Sequence, residues 1–385
     1  MKEKHKKLIK QLIALGVIIL LIIVFTLVKS SKWISEHIFT KGVSRAYIYF
    51  VGHITELFAF SVFEVLIGLA IVSAIVAIVL WIRALRRKKY LKFAKSVVKT
   101  LTIVFSVILV YTLTASFSYN RTPLEKELPA HSGEVENQEI AAMVDYFLQD
   151  LNTLAESFER DEDGNVISPY SFEELSDKMR DEYKKLDSNN YFNTYTPRAK
   201  RFIASDIVSL FGILGVSFQP TGEANINSNT AGIHMPQLIA HEFAHSKGVM
   251  RENDAELLAA YITLTSDDPY IRYSGYASYF WDIRNMLGLH EMDYETAQVH
   301  PLFIKEINNA YKKYNSYRTF IDDIGTAIND IYLKLSGVED GVGSYQIDGE
   351  IIIIIPDDGG EPIRQIVYSP IQRLAQSIYY SQGAP

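Results

Sequence analysis

The segment from Pro236 to Tyr261 carries the residues best suited to chemistry, and at its centre His241, Glu242 and His245 stand in the order H-E-x-x-H. On a helix, residues four apart lie about 40° apart around the axis, so both imidazoles face one side and can grip a single metal ion. Glu242 falls about 100° further round. In enzymes with this pattern that carboxylate acts as general base toward a water at the metal. A catalytic zinc site takes three protein ligands, and the chain has no cysteine, so the third must come from an acid or a further histidine. Glu252 and Glu256, one helical turn apart, are the candidates. The bland alternative makes His241 and His245 ordinary polar residues of a helix and Glu252, Asp254 and Glu256 a solvated acidic face.

Such a site needs elements to hold it. Leu238, Ile239, Phe243 and Ala244 give the first helix an apolar flank, Gly248 breaks it, and a second helix is expected from Glu252. Upstream, the periodicity predicts amphipathic helices over Glu136–Phe158 and Ser171–Leu186, the second opened by the capping pattern Ser171-Phe172-Glu173-Glu174. A helix is also expected over Arg198–Leu210 and a short strand over Val216–Gln219. Near the C-terminus, Glu350–Pro356 and Pro362–Tyr368 flank Asp357–Gly360 and read as a β-hairpin. Its run Ile351–Ile355 is expected to be packed, because exposure would invite aggregation. Asp161–Asn165 resembles the start of a calcium loop but lacks the Gly and Glu at the required later positions, and reads as a solvated turn.

The first 119 residues differ in kind. They hold 17 Lys and Arg against 4 Asp and Glu, whereas the remainder holds 21 against 41. Three apolar runs, about 8–28, 57–82 and 97–119, predict transmembrane helices, with a globular domain over 120–385. Seven basic residues lie between Arg83 and Lys95 but only four between Lys29 and Glu56, which puts the former and the basic N-terminus in the cytoplasm and the domain outside. No small-residue cleavage site follows Val28, so the first run is expected to remain. Glu64, at the outer border of the second run, is expected to reach the headgroup region. A domain this acidic lacks the cationic footprint for nucleic acid.

The chain resembles a family of uncharacterised bacterial membrane proteins with three spans and a zincin-like outer domain. The match rests on Tyr119–Leu124, on Gly215–Asn227, on His241–Tyr261 with Arg272–Tyr276, and on Tyr332–Lys334 through Gly341–Tyr345. Beyond Tyr345 the Ile-rich hairpin replaces the apolar helix-like run expected of that family. The run Glu252-Asn253-Asp254-Ala255-Glu256 is similar to the E-x-x-A-D of integral-membrane zinc peptidases, where the first Glu binds zinc and the last acid supports a histidine. That likeness implies Glu252 as third ligand and Glu256 in the support role or as the alternative ligand. Arg251 stands where metzincins have a third His, which excludes that subclass. Zincins also place a substrate-aligning strand before the metal helix, which offers Glu223 and Asn225 as substrate-strand residues. The other reading of those two is turn chemistry alongside Gly222 and Asn227. Tyr273, Tyr276 and Arg272 are the nearest electrophilic side chains, and packing is the expected role of each.

The expectation is therefore a bacterial plasma-membrane protein: three N-terminal transmembrane helices plus a mainly α-helical (α+β) zincin-like domain with a small sheet and a C-terminal hairpin. Its expected activity is zinc-dependent hydrolysis of peptide or protein amide bonds at the outer membrane face. Two competitors stand beside it: a silent envelope scaffold that keeps a structural zinc, and a zinc amidase acting on cell-wall peptides. The lipid bilayer and a peptide or protein substrate are the expected partners, no nucleic acid is, and oligomeric state is left open.

Overall fold

A computed structural model describes residues 2–131, 133, 135–293, 298–318, 320–336, 338, 340–345, 349–354 and 363–382. Three of its helices are long and apolar enough to cross a membrane: His5–Val28 within α1 (Lys2–Val28), α3 (Val62–Arg86) and α4 (Tyr90–Thr114). Twenty-five helical residues extend about 37 Å, more than the hydrocarbon thickness of about 30 Å.

Two span boundaries move from those expected. The second span starts at Val62 rather than Leu57, because the Ser61 hydroxyl accepts the Glu64 N–H at 3.0 Å and caps the helix there. The third runs over Tyr90–Thr114 rather than 97–119, since the basic stretch between Arg83 and Lys95 is mostly helical. Only Arg87–Lys89 turns, with Lys88 at a positive φ of 57°. Residues Ser116–Asn120 form a 3₁₀ turn instead, and Ser116, Phe117, Ser118 and Tyr119 are buried. The segment after the first span is not a loop either. Ile34–Ser44 is a π-helix and Arg45–Thr55 is α2, each with one face buried. Glu64 does not simply meet headgroups: its carboxylate accepts the N–H groups of Ile203 and Ala204 at 2.8 and 2.6 Å.

The rest of the chain is mainly helical around small sheets. α5 (Asn137–Ser157) and α6 (Phe172–Lys184) form where periodicity placed them, α6 with the full Ser171–Glu174 capping box. Over 198–210 a helix was expected, but Lys200–Arg201 is strand β1 and only Ser205–Ser209 is helical (α7). Pairing with a neighbouring strand and the bonds from Ile203 and Ala204 to Glu64 take the backbone groups that a longer helix would use. β2 (Gly215–Phe218) and β3 (Glu223–Ile226) complete a three-stranded sheet of order β1-β3-β2, with β1 parallel and β2 antiparallel to the central β3.

Against this sheet packs α8 (Met235–Ser246), and α9 (Glu252–Leu264) and α10 (Pro269–Leu289) pack on α8 and on each other. Ala255, Ala259 and Ala260 on α9 are fully buried, and their small side chains let the helices approach closely. The main core joins these helices to α5 through Ile140, Phe147, Leu151, Phe243, Leu258 and Phe280. α11 (Pro301–Tyr317) and α12 (Phe320–Ser336) follow. β4 (Glu350–Ile354) and β5 (Ile363–Val367) pair antiparallel as expected, although the turn Asp357–Gly360 lies outside the described residues. Ile351, Ile352 and Ile353 are exposed rather than packed, because the hairpin is a separate two-stranded sheet. Sequence reasoning also missed α13 (Pro370–Ser381), an amphipathic helix with a Ser369 capping box that buries Ile371, Leu374, Ile378 and Tyr379.

Candidate metal centre

Helix α8 carries His241 and His245 on one face, and the next helix brings Glu252 to meet them. His241 Nε2 lies 3.2 Å and His245 Nε2 3.5 Å from Glu252 Oε2. One ligand atom from each of the three falls within 4.8 Å of the others, so this group could hold a metal ion. Glu252 belongs to the first turn of α9, which returns alongside α8 after a tight reversal. Gly248 makes that reversal possible. It sits at φ +85°, its N–H donates to the His245 carbonyl, and the Val249 N–H donates to the Ala244 carbonyl, the paired bonds of a Schellman turn.

The same turn fixes the second histidine: the Val249 carbonyl is 2.8 Å from His245 Nδ1. His241 Nδ1 is 2.8 Å from Glu256 Oε2, and Gln237 Nε2 donates to Glu256 Oε1 at 3.0 Å. Both Nδ1 atoms thus face acceptors, which sets the Nε2 lone pairs toward the cluster, the usual support given to metal-bound imidazoles. Glu256 thus touches the far nitrogen of His241, while Glu252 faces the Nε2 atoms of both imidazoles. Of these contacts, that of Val249 left no trace in the sequence, because a backbone carbonyl has no residue type.

Glu242 is buried beside the cluster, and its Oε2 has no hydrogen-bond partner. Strand β2 passes so close that a Cβ on Gly215 would stand 2.3 Å from Glu242 Oε1, so any side chain there would have to displace the Glu242 carboxylate. Burial pushes the Glu242 carboxyl up, with the two histidines partly opposing it. Burial depresses both imidazoles, yet the Glu252 and Glu256 carboxylates outweigh it and raise His241 well above its ordinary value; Glu252 likewise raises His245. The pocket is built to favour positive charge.

The other residues singled out in the sequence lie elsewhere. Glu223 and Asn225 stand on β3, both fully buried. Glu223 binds Lys200 Nζ at 2.6 Å and accepts the N–H groups of Val62 and Phe63 at 2.9 and 2.8 Å, so it ties the sheet to the start of α3. Asn225 Nδ2 donates to the Val216 carbonyl. β3 is central, paired along its length with β2 and at Asn225 and Ile226 with β1, whereas β2 is an outer strand of the sheet. Tyr276 and Arg272 bond Asp150, and Tyr273 bonds Glu306, all in packing roles. Arg251 pairs with Asp254.

One buried pair that sequence reasoning did not single out braces the site. Arg121, just past the 3₁₀ turn that follows the third span, donates to Glu36 at 2.8 and 3.1 Å, to the Gly248 carbonyl at 2.9 Å and to the Tyr191 carbonyl at 2.7 Å. Burial acts to raise the Glu36 carboxyl, but Arg121 and Lys41 hold it down at about 2. The turn that orients His245 is therefore bolted to segments that leave the membrane helices.

A family model described as protein of unknown function (DUF3810) matches residues 39–348, most of the chain and the whole of this site. The chain belongs to that family. The match takes in α3, α4, both metal-site helices and α12, and stops before the exposed hairpin. No curated protein and no solved structure matches the chain.

Proposed function

We propose that this protein is a membrane-anchored, zinc-dependent peptidase. One observation carries the reading: two imidazole Nε2 atoms converge on one Glu252 oxygen while a buried carboxylate with an unpartnered Oε2, Glu242, stands next to them. Around a tetrahedral ion with bonds of about 2.0–2.1 Å, ligand atoms lie about 3.3 Å apart. The separations of 3.2 and 3.5 Å fit that spacing. The donor set, two neutral nitrogens and one carboxylate oxygen, suits Zn²⁺, and three ligands leave a fourth position open.

When bound there, zinc supplies a Lewis acid that makes water nucleophilic near neutral pH. His241, His245 and Glu252 would hold it, and Glu256 and the Val249 carbonyl would keep the imidazoles in the ligating tautomer. Glu242 would accept a proton from the attacking water and deliver it to the departing amine. Its free Oε2 and raised affinity for protons suit both halves of that transfer.

The zincin-like fold and the placement of the domain outside the cell belong to this proposal. The zincin reading is supported by the H-E-x-x-H helix packed on the sheet, with a ligand from the following helix. The orientation is supported by the basic cluster from Arg83 to Lys95 at the α3–α4 turn and by the basic start of α1.

The deciding experiment compares the purified full chain with Glu242→Gln. The expected result is about one zinc per chain in both, with amide hydrolysis of a peptide library falling by about 10²–10⁴-fold in the variant. Undiminished cleavage by Glu242→Gln would sink the peptidase reading.

A further inference from the structure

The same-side ends of all three spans dock around the metal centre. Lys29, just past α1, donates from Nζ to the Ser336 carbonyl at 3.0 Å. Ala115 and Tyr119, just past α4, are buried together with Leu333 of α12 and with Met250, which lies two residues before the ligand Glu252. At the start of α3, Val62 and Phe63 bond Glu223, and Glu64 binds the backbone just before α7.

Helix α12 joins these two docking regions. Its N-terminal half presses Gly325 against the Phe211 backbone, beyond α7, and its C-terminal end meets Lys29 and Leu333's neighbours at the α1 and α4 ends. Eleven residues separate Gly325 from Ser336, about 16 Å of helix. The C-terminal end of α12 is thus tethered where α1 and α4 emerge, and its N-terminal half touches the segment after α7, whose start is bonded to Glu64 of α3. Yet Ile324, Ile328 and Ile331, spaced i, i+4, i+7, are 48, 59 and 58% exposed. Ile207 on α7 is exposed as well, as are Phe50 on α2 and Leu57 in the turn leading into α3. In water such a ridge is costly, because apolar surface left uncovered forgoes the stabilisation of burial. Its continuity with three helices suited to a bilayer names the occupant.

We infer that the α12 ridge, with Ile207 and the residues leading into α3, is seated in the interfacial zone of the lipid bilayer. The face of α12 turned away from the lipid then carries Leu333, which packs with Met250, two residues before Glu252, so the metal centre lies behind α12 as seen from the membrane. On the peptidase reading proposed above, the substrate class is polypeptide held at or in the bilayer rather than free peptide.

The chain has no native cysteine, so single labels are placed without background. Full-length Ile328→Cys, Ile207→Cys and Asp267→Cys carry an environment-sensitive fluorophore in nanodiscs of phosphatidylcholine and phosphatidylglycerol. Asp267 is the control, fully exposed and beyond the far end of α9. With lipids bearing a nitroxide near the headgroup end of the acyl chain, labels at 328 and 207 lose most of their emission and the label at 267 keeps its own. Equal emission at all three sites overturns the proposal. So does a label at 328 that is shielded without lipid quenching and crosslinks to a second copy of the chain, because the ridge is then a protein interface.

The substrate arm uses one peptide sequence offered free in water or next to a spanning helix in the same nanodisc. The wild type is expected to cleave the membrane-held form faster. The triple variant Ile324→Ser, Ile328→Ser and Ile331→Ser is expected to lose that preference while still cleaving the free peptide. Failure of Glu242→Gln to abolish cleavage would defeat the peptidase reading and leave the quenching result standing.

Discussion

Two clusters of buried charge, one at the junction with the membrane helices and one at the metal centre, are built on opposite principles. At the junction every buried carboxylate is saturated. Glu36 receives Arg121, Lys41 and the Thr122 N–H, and Glu223 receives Lys200 and two backbone N–H groups. At the metal centre, among the described residues, Glu242, Glu252 and Glu256 have no Lys or Arg partner, and Glu242 Oε2 has no partner at all. A buried charge costs several kcal/mol unless it is paired. A closed network is therefore architecture, whereas one left open suits a place that takes up something else, which on the proposed function is a cation and a proton.

The sharpest way to break this contrast is to neutralise one carboxylate in each cluster. Glu36→Gln strands the buried Arg121 guanidinium, and the full chain should lose about 3–5 kcal/mol in thermal or denaturant unfolding. Glu242→Gln removes an unpaired acid and should leave stability unchanged or raise it, at the expense of activity. Equal destabilisation by the two would end the distinction. The next effect in size concerns support of the ligand. Glu256→Gln should weaken zinc binding by about 10–100-fold in a competition titration, whereas Glu252→Ala should abolish it. The reverse ranking would exchange their roles.

Gly248→Ala comes third. It forces a Cβ onto a left-handed residue, at about 1–2 kcal/mol, with that Cβ 3.2 Å from Arg121 Nη1. Because this turn belongs to both regions, unfolding stability and zinc affinity should fall together; loss of one alone would show that they are not coupled there. The last effect is gradual and lies in pH. Glu36 titrates near 2 when folded against an ordinary 4.5, so its stabilisation is complete above about pH 4.5 and is lost as pH falls toward 2. Across that window wild-type stability should drop by up to about 1.4 kcal/mol per pH unit more than that of Glu36→Gln. Parallel curves would mean that Glu36 is not held ionised by the junction.

Much of the site was legible because a helix repeats every 3.6 residues. His241, His245, Glu252 and Glu256 each sit where i, i+4 spacing and a glycine break predicted, and the capping boxes marked helix starts. The errors share a different cause. Glu223 reads locally as a substrate-strand or turn residue, and its buried partners Lys200, Val62 and Phe63 are 23 and about 160 residues away. The 198–210 segment has helical periodicity, yet a strand partner and a membrane-helix carboxylate took its backbone groups. The isoleucine hairpin was expected in the core, and nothing local states that no second layer covers it.

By itself the sequence determined the apolar spans, the charge split between anchor and domain, and the pairing of two histidines with a glutamate on one helix, because each depends on neighbours within a turn or two. Only the tertiary structure decided that Glu252 faces both imidazoles, that Val249 and Glu256 hold their far nitrogens, and that Glu36 and Arg121 join the membrane segments to the Gly248 turn. Those contacts pair groups from 4 to 127 residues apart. The longest of them exist only once burial has removed water and made each unpaired charge costly enough to seek its partner across the fold.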